Sequence, residues 1–194
     1  MKEIKRDVYL NKLISRKENG LIKIITGIRR CGKSYLLDPL FKNHLLESGV
    51  KEDHIIKLEL DKEENKKFRD SHELNEYIKS QIKDKNMYYI LLDEIQMVEG
   101  FESVLNSFLY ERNLDVYVTG SNSKFLSSDI ITEFRGRGDE IKVFPLSFSE
   151  YIESFKGDKQ DAWNEYVLYG GLPLILSKKT DEEKSKYLKD LFDQ

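Results

Sequence analysis

The sequence is poor in residues that would staple or interrupt it. One cysteine among 194 residues, Cys31, rules out an internal disulfide, and the composition suits a reducing, cytosolic compartment. Three prolines and eleven glycines leave long stretches free to form regular structure. Alanine occurs once, at Ala162, which reads as base bias in the source genome. No apolar run approaches the roughly 20 residues that a membrane-spanning helix needs, and the first residues carry no signal peptide. An excess of charge of one sign is also missing. Thirty-two Lys and Arg stand against 35 Asp and Glu, a net charge of −3, which argues against a dominant nucleic-acid or membrane field.

What is present is a 39% apolar, 11% aromatic chain, too rich in core formers to be disordered and long enough for one domain with a real core. Its charge is uneven. Residues 1–34 hold ten basic and three acidic side chains, +7, leaving −10 for the remainder. Most of the ten read as a solvated basic face, and the excess as a positive end facing an anion.

Short apolar runs alternate with helical patterns. Residues 21–26, 54–60, 87–92, 116–119 and 141–144 read as strands, three of them apolar enough to be buried on both faces. Helices are expected over 7–17, 33–46 with a kink at Pro39, 71–83 with Ser71 as N-cap, and 101–111. Residues 61–70, eight of them charged, read as a solvated loop. This alternation is the signature of a parallel α/β sheet. Capping boxes at Ser147–Glu150 and Thr180–Glu183 open further helices. The last helix should place Tyr187, Leu188, Leu191 and Phe192 on one side, with Trp163 and the tyrosines in the core. We expect an ATP-binding core over 1–145 and, over 146–194, the beginning of a helical lid that continues past Gln194.

Gly27-Ile-Arg-Arg-Cys-Gly-Lys-Ser34 fits GxxxxGK[ST] after an apolar strand and before a helix. Glycines let successive N–H groups face a phosphate, and the helix start adds its positive dipole end. The nucleotide-binding set is therefore Gly27, Arg29, Arg30, Cys31, Gly32, Lys33, Ser34 and Tyr35. Lys33 reaches the β- and γ-phosphates, and the Ser34 hydroxyl ligates Mg²⁺. Cys31 in this loop is either a thiol activated by the helix start or a small residue filling space.

A second apolar strand ends in Asp93-Glu94. Beside a phosphate loop, Asp93 would hold the hydrated Mg²⁺ and Glu94 would activate water as general base. No guanine-reading NKxD segment exists, since Asn122-Ser-Lys-Phe125 is not one, so ATP is favoured over GTP. Thr119, Ser121 or Asn122, after the next strand, would orient water at the γ-phosphate. Arg135 and Arg137, flanked by glycine, suit a charge-neutralising finger, and one acting from a neighbouring copy would make the protein a homo-oligomer. Scattered histidines at 44, 54 and 72 offer no metal site.

With these motifs in order across nearly the whole chain, the sequence resembles the AAA+ superfamily of P-loop ATPases. Within it, the sequence is similar to a bacterial and archaeal predicted-ATPase group that often carries a C-terminal nuclease-like domain. The blocks carrying the resemblance are ITGIRRCGKSYLL, YYILLDEIQMVEGFESVL, VYVTGSNSKFL, RGRGDEIKVFPLSFSEY and LYGGLPLIL. The resemblance implies a three-layer αβα fold with a five-stranded parallel sheet in order 5-1-4-3-2 and a helical lid. It also implies ATP with Mg²⁺ as ligands, Ser121 or Asn122 as the sensor, Arg137 as the family's Gly-Arg, and a C-terminal domain beyond this chain. ATP hydrolysis would drive or gate that domain or a partner. A nucleotide switch with little hydrolysis and a DNA-acting ATPase are the alternatives.

Overall fold

The computed structural model describes residues 4–120, 134 and 136–193. Five strands, β1 (Ile22–Thr26), β2 (Ile55–Glu59), β3 (Tyr88–Asp93), β4 (Leu114–Thr119) and β5 (Gly138–Lys142), form one sheet in the order β2-β3-β4-β1-β5. Every pairing is parallel. This is the 5-1-4-3-2 order expected from the sequence, read from the other edge. Its cause is visible in the strands. β1 and β3 are buried along their whole length, so each needs a strand on both sides and a helical layer above and below.

Alternate strand residues feed two cores. Ile22, Ile24, Ile90, Leu92, Val116 and Val118 pack on one face with helices α4 (Ser71–Gln81) and α5 (Phe101–Phe108), through Leu74, Ile78, Leu105 and Phe108. Ile25, Tyr89, Leu91 and Tyr117 pack on the other with α1 (Asp7–Ser15), the short α2 (Lys33–Tyr35) and α3 (Lys42–Glu47). A third cluster, around Tyr151, Tyr169 and Ile175, joins α6 (Phe148–Ser154), α7 (Lys159–Tyr169) and α8 (Asp181–Phe192), and it takes in Ile4 from the start of the chain. Both capping boxes are formed. Among the described residues no helix is long and apolar enough to cross a membrane.

Several local expectations change. The helix expected over 33–46 is broken rather than kinked. Asp38, before Pro39, is extended (φ −145°, ψ 121°) because the proline ring disfavours helical backbone there, and the Asp38–Pro39 peptide is cis. Asp70, not Ser71, caps α4, accepting from the His72 and Glu73 N–H groups at 2.9 and 3.0 Å. The charged stretch 61–70 is not a loop. It turns through a short helix, Glu63–Arg69, pinned by buried Phe68 and by Arg69 Nε donating to the Leu60 carbonyl at 2.8 Å. Trp163, expected in the core, is 47% exposed, and Phe192 on the last helix is 91% exposed.

The basic first stretch is also redistributed. Lys23 is fully buried in β1, paired with Asp115 of β4, whose other oxygen accepts from Tyr117 Oη at 2.7 Å and from the Glu18 N–H at 2.9 Å. Arg16 pairs with Asp139 at 2.8 Å, and Arg6 is 2% exposed. Part of the +7 is therefore spent inside the fold, while Lys5, Lys12 and Arg29 stay exposed. Removing one member of a buried pair strands the other, at a cost of about 3–5 kcal/mol. Asp115→Ala should lower the unfolding free energy by about that amount in urea titrations, while Lys23→Met with Asp115→Leu should recover most of it. A single-variant loss below about 1 kcal/mol would mean that the Lys23 ammonium reaches water.

Candidate nucleotide-binding site

All five strands point their carboxyl ends the same way, and the largest of the described cavities, about 550 Å³, lies beyond those of β1 and β3. Arg30, Gly32, Lys33, Ser34, Tyr35 and Glu94 line one side of it. The backbone of the loop explains its glycines. Gly27 has φ 149° and Gly32 φ 98°, and a Cβ on Gly27 would overlap the Val143 carbonyl oxygen. Lys33 is 4% exposed and donates from Nζ to the Gly27 and Ile28 carbonyls, both at 3.1 Å, so the ammonium is held across the loop rather than in solvent.

The acidic motif meets the loop through hydroxyls. The Asp93 carboxylate accepts from Thr119 Oγ1 at 2.5 Å and lies near the Ser34 hydroxyl. Burial holds the Asp93 carboxyl above the usual carboxylate range, against the pull of these two hydroxyls. Thr119 in turn accepts from the Glu94 N–H at 2.9 Å. Glu94 has left-handed backbone (φ 57°, ψ 51°), a conformation that costs a non-glycine residue on the order of 1 kcal/mol and is retained where the surroundings enforce it. The Gln96 side-chain amide donates to its carboxylate. Thr119 was one of three candidates for contact with the γ-phosphate. Its observed partners are the acidic pair, and Gln96 carried no sequence signal of its own.

Cys31 is fully buried and its thiol donates to the Val143 carbonyl at 3.5 Å. Burial pushes that thiol up, outweighing nearby Lys33 and Arg6, so the activated-thiol reading gives way to the space-filling one. Arg29 is exposed and outside the cavity lining. Arg137 also stands outside it. Its backbone carbonyl accepts from Ile22 N–H at the amino end of β1, about 13 Å along the strand from the loop, and its guanidinium donates to Asn106 at 2.7 Å. It cannot serve as a finger toward a nucleotide in the same chain. Ser121, Asn122 and Arg135 lie outside the described residues.

The opposite wall of the cavity was not anticipated. Ile4, Leu146, Pro173 and Leu174 make it apolar, as suits a planar base. Arg6 secures this wall, donating to the Phe144 carbonyl at 2.5 Å and approaching Glu150 of α6 at 3.4 Å. The available signal was Gly171, ahead of Pro173, where a Cβ would overlap the Leu146 carbonyl oxygen.

A family model described as an AAA domain matches residues 19–152. The chain belongs to the AAA domain family. It is an AAA+ P-loop ATPase in fold, as the sequence resemblance implied. It is 34% identical over 197 residues to a Haemophilus influenzae protein described as uncharacterized, covering 98% of this chain and 48% of that protein. A Methanocaldococcus jannaschii protein, likewise described, is 30% identical over 208 residues, covering 99% and 43%. The chain thus spans about half the length of the curated relatives it matches. Among solved structures it is similar to a Walker-type ATPase of Pyrococcus abyssi (TM-score 0.64, 16% identity, 98% of this chain and 72% of that one). It is also similar to AMPPCP-bound DnaA from Aquifex aeolicus (TM-score 0.57, 16% identity, 97% and 62%).

The raised Asp93 carboxyl has a consequence for stability. A folded-state pKa above the unfolded one means that the ionised group opposes folding at neutral pH, and that this cost appears as pH rises through the folded-state value. Asp93→Asn should therefore raise the melting temperature of the nucleotide-free protein, by roughly 2–4 °C if about 1 kcal/mol is recovered. The gain should shrink as pH falls toward the ordinary aspartate range. A variant that melts lower than the parent at pH 7 would contradict this account.

Proposed function

We propose that this chain binds ATP and hydrolyses it with Mg²⁺, and that the cycle drives or gates an attached domain or partner. The observation that carries the reading is the convergence at one cavity of a lysine across a glycine loop, a serine hydroxyl and a strained glutamate, with a buried aspartate close behind the serine. The loop N–H groups and Lys33 would hold the phosphates. The apolar wall of Leu146, Pro173 and Leu174 would take the base. AMPPCP bound to the similar DnaA fold supports a nucleotide as the ligand class.

The donor set fits a hydrated Mg²⁺, which binds proteins through one or two oxygen ligands and keeps several waters. Ser34 Oγ and the Asp93 carboxylate would hold it. Mg²⁺ would neutralise charge on the β- and γ-phosphate oxygens. Glu94 would take the proton from the attacking water. Its left-handed backbone and the Gln96 amide fix the carboxylate, while Thr119 keeps the backbone of Glu94 in register with Asp93. The relatives are about twice as long as this chain, which supports an attached domain as the load.

Lys33→Ala should abolish measurable ATP binding in calorimetry. Glu94→Gln should keep ATP affinity within a few-fold while phosphate release falls by about 10²–10⁴. Parent-like turnover in Glu94→Gln would remove the glutamate from the role of base.

A further inference from the structure

A second cavity, about 490 Å³, opens within the third cluster and shares no lining residue with the nucleotide cavity. It lies between the end of α6, the face of α7, the turn Pro173–Ser177 and α8. Four lysines line it, Lys156, Lys178, Lys179 and Lys184, against one acid, Glu165.

That acid is already satisfied. Lys184, only 6% exposed, reaches one Glu165 oxygen at 2.6 Å, and Tyr151 Oη donates to the other at 2.6 Å. Lys156, Lys178 and Lys179 make no ion pair among the described residues. Glu183 spends one oxygen on the backbone N–H groups of Lys179 and Thr180 as the cap of α8, and its carboxylate also attracts Lys178 and Lys179. Three lysines with no ion-pair partner among the described residues therefore line one concave surface, their charge offset only in part by Glu183, in a protein whose net charge is −3. Like charges repel, so a cluster of this kind attracts an anion between its members.

The rest of the lining narrows the ligand. Ser154 and Ser177 add hydroxyls, the groups that with lysine contact phosphate and sugar, while Phe155 and Leu176 add an apolar surface. No arginine is present to grip a carboxylate with a planar fork, which tells against an acidic peptide. Point charges beside an apolar, partly aromatic surface match a phosphodiester with its base. We infer that this cleft binds single-stranded nucleic acid, Lys156, Lys178 and Lys179 taking the phosphates and Phe155 and Leu176 the base. The site is distinct from the basic first 34 residues, none of which lines the cleft. Lys178 also lies over the Tyr187 ring at 5.7 Å, the same ring that Arg30 of the phosphate loop approaches at 5.4 Å, so cleft and nucleotide loop meet at one side chain.

The inference is independent of the ATPase reading and is tested without nucleotide. Fluorescence anisotropy of a labelled oligothymidylate of about a dozen nucleotides should show binding that weakens steeply with salt. In the triple variant Lys156→Gln, Lys178→Gln, Lys179→Gln the affinity should fall at least about tenfold, and the log–log salt slope by about 2, at about 0.7 per lost contact. A control triple at exposed Lys79, Lys83 and Lys85, on and after α4, should bind as the parent does. An unchanged melting temperature and ATP affinity in the cleft variant would assign the loss to the cleft itself. Equal oligonucleotide binding by parent and cleft variant, no binding by the parent at low salt, or displacement by polyglutamate as efficient as by unlabelled oligonucleotide would overturn the inference.

Discussion

The site depends on the insertion of β4 between β1 and β3. Because β4 pairs with both, Thr119 at its end stands between the strand that feeds the phosphate loop and the strand that ends in Asp93-Glu94. Its single hydroxyl donates to the Asp93 carboxylate and accepts from the Glu94 N–H. A hydroxyl is one of the few side-chain groups that can do both within hydrogen-bond reach. If β3 paired directly with β1, the carboxylates would lie about one strand spacing, 4.8 Å, closer to the loop, and no residue would bridge them. Strand order therefore sets which groups meet at this end of the sheet.

The opposite end of the same sheet is tied by charge. Lys23 of β1 and Asp115 of β4 pair in the interior, with Tyr117, Glu18 and Tyr89 extending the hydrogen bonds, Tyr89 Oη donating to Glu18 at 2.5 Å. A buried pair of this kind is weak evidence for stability, since its desolvation cost can equal its attraction. What it does provide is register. Lys23 lies opposite Tyr117 across β1 and β4, and slipping either strand by one residue would move the ammonium into the apolar layer of Ile22 and Ile24. The polar pair at one end thus helps to fix the alignment that the functional end requires.

Legibility followed the range of the interactions. The strands, the loop glycines, the capping boxes and the acidic motif are written in contiguous residues, and the sequence yields them along with the sheet order that the family resemblance implied. Interactions that close over 90 residues or more left no local trace. Arg6 bonding to Phe144, and Lys23 to Asp115, looked like members of a solvated basic face because their partners are far along the chain. The break at Asp38 exceeded the expected kink because a residue before proline resists helical backbone. Trp163 illustrates the converse error. Its size suggested the core, but its place on α7 leaves half of it in solvent, edge-on to Phe148 at 5.0 Å.

The apolar half of the nucleotide cavity belongs to a different packing unit from its polar half. Lys33, Ser34, Asp93 and Glu94 are fixed by the sheet, whereas Leu146, Pro173 and Leu174 are positioned with the cluster around Tyr151 and Ile175. A base held by one unit and phosphates held by the other would bridge them. Cleaving the terminal phosphate removes charge only from the sheet side of that bridge. Under the proposed function the two halves would then be held less tightly together, and this asymmetry between walls would let a local loss of charge favour a movement of helices α6 to α8 relative to the sheet.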